Sequence, residues 1–165
     1  MRPAQSEDIQ FIYQLSQTDN PLFAIFKNNS IEEITIGVMD KQAQVGRDLK
    51  VVIDYWIHER LGQDRMGYAS VIHVPTPPGR NPEPWLDIEQ IALVDKYESE
   101  SDYRIMLQFL MLHYKGANFT AKIKSKNTGV KDMLIAEGFE ENSINNDFTK
   151  NGIVFMERKG LIIDY

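Results

Sequence analysis

The chain has 165 residues, 42% of them hydrophobic and 25% charged, with a net charge of −6 and no cysteine. That length suits one domain, and that apolar share fills a core unaided, while the missing cysteines exclude disulfides and thiolate metal sites. No run approaches the roughly 20 apolar residues of a membrane span, Met1-Arg2-Pro3 opens no signal peptide, and Lys and Arg are scattered over an acidic chain, so the expectation is a cytoplasmic protein that partners neither membrane nor nucleic acid.

Met1 to Ala4 reads as a short strand. Ser6, with Glu7 and Asp8 behind it, starts a helix, because carboxylates suit a helix N-terminus. Ile9, Phe11, Ile12 and Leu15 give that helix a buried stripe. Asn20-Pro21 ends the pattern, and Ser30 with Glu32 and Glu33 opens a second helix through about Met39. From Leu49 the period changes to two. Val51, Ile53, Tyr55 and Ile57 alternate with their neighbours as in a strand. Leu61 to Arg65 turns, and Met66 to Val74 returns as the second arm of a hairpin. Pro75 to Pro84 holds five prolines in ten residues. It can form neither helix nor central strand and reads as an extended surface loop, a stiff connector or a docking surface.

Trp85 to Val94 is a third long strand. Ser101 to Tyr114 is a helix apolar almost all round, which predicts burial against a sheet. Phe119 to Ile123 is a strand, and Asn127 to Glu137 a helix closed by Gly138. Two last strands, about Asn142 to Thr149 and Ile153 to Arg158, flank an Asn151-Gly152 turn. The order β-α-α-β-β-β-α-β-α-β-β predicts an α/β fold, with a mixed sheet of about seven strands and about four helices. Residues 1–160 form the expected single domain. The apolar tail Leu161-Ile-Ile-Asp-Tyr165 extends past it as a candidate partner contact.

Three stretches resemble the GNAT N-acetyltransferases. Asp87-Ile-Glu-Gln-Ile-Ala-Leu-Val-Asp-Lys-Tyr97 is similar to the family's central strand and the start of its cofactor loop. Asn127-Thr-Gly-Val-Lys-Asp-Met-Leu-Ile-Ala-Glu-Gly-Phe139 is similar to its Asn-x-x-Ala-x-x-x-Tyr-x-x-x-Gly-Phe helix. Arg2-Pro3-Ala4 with Asp8 resembles its opening. The element order agrees over nearly the whole chain. The resemblance implies that the pantetheine arm of acetyl-CoA pairs with the strand near Ile91 to Leu93. It implies that the pyrophosphate sits on main-chain amides at the next helix start, near Ser99 and Ser101, and that Asn127 touches the cofactor. Glu89 takes the place of a general base for an amine acceptor. For Asn127 an ordinary N-cap is the competing reading, and for Glu89 a solvated or ion-paired carboxylate.

The loop departs from the family pattern Gln/Arg-x-x-Gly-x-Gly/Ala. Its matching residues are Glu98-Ser99-Glu100-Ser101-Asp102-Tyr103, without a glycine. From Asp95 to Asp102, four carboxylates face one lysine, a net of −3. One like-charge pair at about 5 Å costs roughly 0.8 kcal/mol in water and roughly 3 kcal/mol at an effective dielectric of about 20. Ser99 and Ser101 are good N-caps, and Glu100 and Asp102 suit the helix dipole, so this helix start serves itself. The tyrosine that often protonates the departing thiolate in the family aligns with Leu134, which has no proton to give. Tyr97, Tyr103 or Tyr114 replaces it only if the fold brings one there. The three histidines form no constellation, because Val52 rather than His58 lies opposite His73.

These departures lead to an expected GNAT-fold protein that has lost acetyl-CoA-dependent catalysis, binds no cofactor and acts through a protein partner or assembly of open stoichiometry. The alternative is an active N-acetyltransferase with a non-standard phosphate loop. The chain also resembles the small GNAT-like internal virion proteins of short-tailed phages. The shared features are the Arg-Pro opening, the glycine-free loop, Asn127-Thr128 and the close Arg158-Lys159-Gly160. That likeness implies a virion-associated or assembly role.

Overall fold

The computed structural model describes residues 1–18, 30–39, 52–60, 64–74, 84–142 and 152–160. In chain order these form β1 (Arg2–Pro3), a 3-10 turn (Ser6–Asp8), α1 (Ile9–Ser16), α2 (Ile31–Met39), β2 (Val52–Arg60), β3 (Asp64–Val74) and β4 (Trp85–Leu93). A second 3-10 turn (Asp95–Tyr97), α3 (Glu100–His113), β5 (Asn118–Lys124), α4 (Thr128–Ala136), β6 (Glu140–Glu141) and β7 (Ile153–Arg158) complete it. The expected fold class holds: one mixed sheet of seven strands, ordered β1-β2-β3-β4-β5-β7-β6. Every neighbouring pair is antiparallel except β4 and β5, which are parallel. The β2–β3 turn at 61–63, the proline loop at 75–83, most of the expected strand 142–149 and the tail 161–165 lie outside the described residues.

Each face of the sheet buries one pair of helices. Ile12 of α1 and Ile34 of α2 pack on Tyr55, Ile57, Tyr68 and Ala92. On the other face, Tyr103, Met106, Leu107 and Leu110 of α3 and Val130, Met133 and Leu134 of α4 cover Trp56, Ala69, Val71, Ile88, Ile91 and Phe119. The expectation of an all-round buried α3 is corrected. Ile105 is 49% and Leu112 76% exposed, so α3 buries one stripe and turns apolar side chains outward. Gly138 ends α4 at φ +92°, where a side chain would be strained. Asp8, not Ser6, is the polar anchor of the first turn. It is fully buried, and Gln5 occupies the N-cap.

Two irregularities shape β4. Between the pairs Val71–Ile88 and Ser70–Gln90, β4 carries one extra residue, Glu89. This β-bulge shifts the parity of the strand: Leu86 and Ile88 face α3 before it, and Ile91 and Leu93 after it. Second, β4 pairs with β5 only over Trp85–Ile88, against Asn118–Ala121. From Glu89 onward, β4 leaves β5, and an open edge separates them.

Candidate functional site

The open edge of β4 is the natural place for a ligand that needs main-chain partners. The amide of Val94 donates to Met66 of β3 at 2.8 Å. Alternation along a strand then turns the amides of Leu93 and Ile91 away from β3, toward the gap left by β5. The family resemblance puts a cofactor arm there. The structure places a side chain of α3 there instead. Tyr103 is buried, and its hydroxyl, near the Leu93 main chain, donates to Glu98 Oε1 at 3.4 Å. Burial pushes the Tyr103 phenol up, and the Glu98 carboxylate pushes it further. It stays a neutral, hydrogen-bonded plug.

The start of α3 is likewise self-served. Ser99 is the N-cap: its Oγ accepts the Asp102 amide at 3.1 Å and donates to Asp102 Oδ2 at 2.7 Å. Asp102 Oδ1 is 3.2 Å from His58 Nε2. The Ser99 hydrogen bond lowers the Asp102 carboxyl below its ordinary range. Desolvation opposes that shift, and the His58 contact reinforces it. Ser101 is exposed on the second position of α3, and Glu98, Glu100 and Asp102 bring their carboxylates to this same entrance. Behind it, Arg104 Nη2 and Gln108 Nε2 both donate to Glu137 Oε1, at 3.1 and 2.9 Å, and tie α3 to the end of α4. These residues do not fit a coenzyme pyrophosphate. A buried tyrosine stands where the backbone must come close, and the local charge has the wrong sign.

Glu89 sits at the bulge, half-buried, and Ser70 Oγ donates to its Oε2 at 3.1 Å. Tyr68, fully buried beside it, hydrogen-bonds Gln90; burial raises its phenol, and Tyr55 and Glu89 add to the effect. Glu89 therefore belongs to the face covered by α1 and α2, while Tyr103 fills the edge from the α3 side. Asn127 caps α4, accepting the Val130 amide at 3.4 Å. Leu134 is buried in the core. Of the three tyrosines that could replace it, Tyr97 donates to Asp64 at 2.8 Å, and Tyr114 donates to Asp54 at 2.6 Å beyond the far end of α3. Only Tyr103 reaches the open edge.

The register places Val52 opposite His73, as expected. Yet two histidines find carboxylates that sequence reasoning missed: His58 with Asp102, and His73 Nε2 with Asp54 Oδ2 at 2.7 Å. Trp56 Nε1 donates to the Tyr114 hydroxyl at 2.9 Å, completing a run from Trp56 through Tyr114 to Asp54 and His73. The signal was available, since Asp54 lies one diagonal step from His73 in the same register.

No protein-family model and no curated sequence matches the chain. Solved structures do. A ribosomal-protein-alanine N-acetyltransferase from Brucella melitensis is similar at a TM-score of 0.64 and 16% identity, over 96% of this chain and 98% of that one. An aminoglycoside acetyltransferase in complex with coenzyme A and kanamycin is similar at 0.61 and 12%, over 96% and 92%. A variant of the spermidine N-acetyltransferase of Vibrio cholerae is similar at 0.62 and 12%, over 96% and 93%. With the splayed β4–β5 pair, the bulge at Glu89 and helices on both faces, the chain has the fold of the GNAT N-acetyltransferases.

Proposed function

We propose that this chain is a GNAT-fold protein in which acetyl-CoA-dependent chemistry is lost or greatly weakened, and that it acts through contacts with other proteins. The observation that carries this reading is the buried Tyr103 side chain at the open edge of β4, its ring in the core and its hydroxyl on Glu98 near the Leu93 main chain. A coenzyme arm would have to expel a buried aromatic ring from the core and settle beside Glu98. The carboxylates at the start of α3 add repulsion toward a diphosphate. A few like-charge pairs of roughly 3 kcal/mol each offset most of a micromolar binding energy of about 8 kcal/mol. The exposed apolar side chains of α3, Ile105 and Leu112, and Ile135 of α4 supply surface for a protein partner. The looser likeness to internal virion proteins of short-tailed phages fits an assembly role.

Isothermal titration with acetyl-CoA tests the proposal. Its expected outcome is no heat of binding at millimolar ligand. Binding tighter than about 100 μM overturns it.

One observation favours a second reading, an active N-acetyltransferase with a non-standard phosphate loop. Glu89 stands on the bulge, braced by Ser70, where a base for an amine acceptor is needed. An acetyl-transfer assay over a panel of amines, with Glu89→Gln as the control, separates the two readings. Turnover that the substitution abolishes supports the enzyme.

A further inference from the structure

A depression of about 410 Å³ opens between the chain start, the β2–β3 hairpin and the 3-10 turn after β4. It shares only that last turn with the open edge of β4. At roughly 30 Å³ per water it holds about a dozen waters, the scale of a small-molecule site.

Behind two of its lining arginines, Arg2 and Arg65, lies Asp8, fully buried. Asp8 Oδ2 accepts Arg2 Nη1 at 2.7 Å and the Gln5 amide at 2.8 Å, Oδ1 accepts Arg2 Nη2 at 3.0 Å, and Arg65 Nε forms an ion pair with Oδ1 at 2.9 Å. Three hydrogen bonds and one ion pair thus hold the buried carboxylate. Arg2 spends its remaining Nε on Glu59, at 3.0 Å. Arg65 differs. Its guanidinium is fixed by Asp8 through Nε and lies 5.9 Å from the Phe11 ring centre, and its outer edge has no protein partner among the described residues. An arginine held this way presents a ready fork for a carboxylate.

The other lining groups extend the pattern. Lys96 Nζ lies 4.8 Å over the Tyr97 ring, with no carboxylate partner among the described residues. Asp64 accepts from Tyr97 and Glu59 from Arg2, so of the lining carboxylates Glu7 is left unpaired among the described residues. The depression thus presents the outer edge of Arg65 and the Lys96 ammonium toward an anion, the Glu7 carboxylate toward a cation, and the Phe11 and Tyr97 rings as walls.

We propose that this depression binds a free α-amino acid with an apolar or aromatic side chain. The carboxylate docks on the Arg65 fork beside Lys96, the ammonium faces Glu7, and the side chain packs on Phe11 and Tyr97. The inference goes beyond the proposed function and does not depend on it, since no coenzyme takes part.

Nitrogen–proton NMR of the full chain, titrated with L-phenylalanine, N-acetyl-L-phenylalanine and L-phenylalaninamide, tests it. L-Phenylalanine is expected to give saturable shifts at Arg65 Nε–H and the Phe11 and Tyr97 amides, with a Kd on the order of 1 mM, and each blocked form to bind at least about tenfold more weakly. Arg65→Lys keeps a cation for Asp8 but removes the fork, and Glu7→Gln touches only the rim; each is expected to weaken L-phenylalanine at least about fivefold. Should Arg65→Lys fail to fold, Glu7→Gln decides. No saturable shift up to about 20 mM, blocked forms that bind as well, or a Glu7→Gln protein equal to the parent would each overturn the proposal.

Discussion

The hydroxyl of Tyr103 donates to Oε1 of Glu98 at 3.4 Å, closing a five-residue loop over the open edge of β4. Two substitutions separate its packing role from its role as a plug. Tyr103→Phe keeps the ring and removes the hydrogen bond to Glu98, at a cost of about 0.5–1.5 kcal/mol in urea denaturation. Tyr103→Ala empties the edge at about 3–5 kcal/mol. On the proposed function, Tyr103→Ala also raises acetyl-CoA binding above that of the parent, read by titration calorimetry, and Tyr103→Phe does not.

Ser99 caps α3, and on the proposed function it holds no phosphate. Ser99→Ala removes the acceptor for the Asp102 amide and costs about 1 kcal/mol. Ser99→Asp restores a cap and recovers most of that stability, although it adds a fourth carboxylate to Glu98, Glu100 and Asp102 at the entrance. Thermal unfolding of the three proteins checks the ranking.

Asp8 sets the acid limb of the stability profile. Burial alone raises its carboxyl, but the hydrogen bonds from Arg2 and the Gln5 amide and the charges of Arg2 and Arg65 outweigh it, and the folded pKa lies below the ordinary value. A depressed pKa stabilises the fold above the unfolded value of about 3.9, and that stabilisation fades as pH falls through the folded value. Stability is therefore expected to drop below about pH 4, and Asp8→Asn to flatten that limb while costing about 1–3 kcal/mol at neutral pH. Denaturant midpoints between pH 2 and pH 7 give both numbers.

Tyr114 pins the end of α3 to the sheet. Its phenol is raised by burial and by Asp54, so it remains a donor across the neutral range. Tyr114→Phe leaves the Trp56 indole N–H without its acceptor and removes one of the donors to Asp54, which keeps His73, for a loss of about 1–3 kcal/mol. A shift in Trp56 emission accompanies it. Emission identical to the parent would mean that the indole bond is not formed in solution.

Gly67 is fixed by space rather than by its dihedral. A Cβ there would collide with the Ala92 carbonyl oxygen and lie 2.9 Å from Leu93 Cδ2. Gly67→Ala is expected to cost about 1–3 kcal/mol, or about 2–4 °C in Tm for each kcal/mol in a chain of this size.

The element order was legible because punctuation and period are local. The prolines, Gly138 and the change of period near Leu49 mark boundaries that tertiary contacts do not move. The outward turn of Leu112 was not legible, since composition alone cannot say how much of a helix its sheet will cover. The bulge left a trace that could have been read: buried residues run Leu86, Ile88 and then Ile91, Leu93, a change of parity within one strand. For the site, the acidic, glycine-free loop and the Ser99 cap could be read from residue types. The burial of Tyr103 against the open edge of β4 could not, because it depends on how far α3 stands from β4. The Arg2–Asp8–Arg65 cluster joins residues nearly sixty positions apart and needed the fold.

The short stretch over which β4 and β5 touch has a consequence for assembly. Strands β2 to β4 form a meander whose partners are adjacent in the chain, whereas β1 joins β2 across two helices and β5 meets β4 only at Trp85–Ile88. Local pairings close quickly and distant ones slowly. The β2–β4 meander can complete its ladder once Leu93 has emerged during synthesis, and β1 on one side and β5 on the other then add to a ready-made edge.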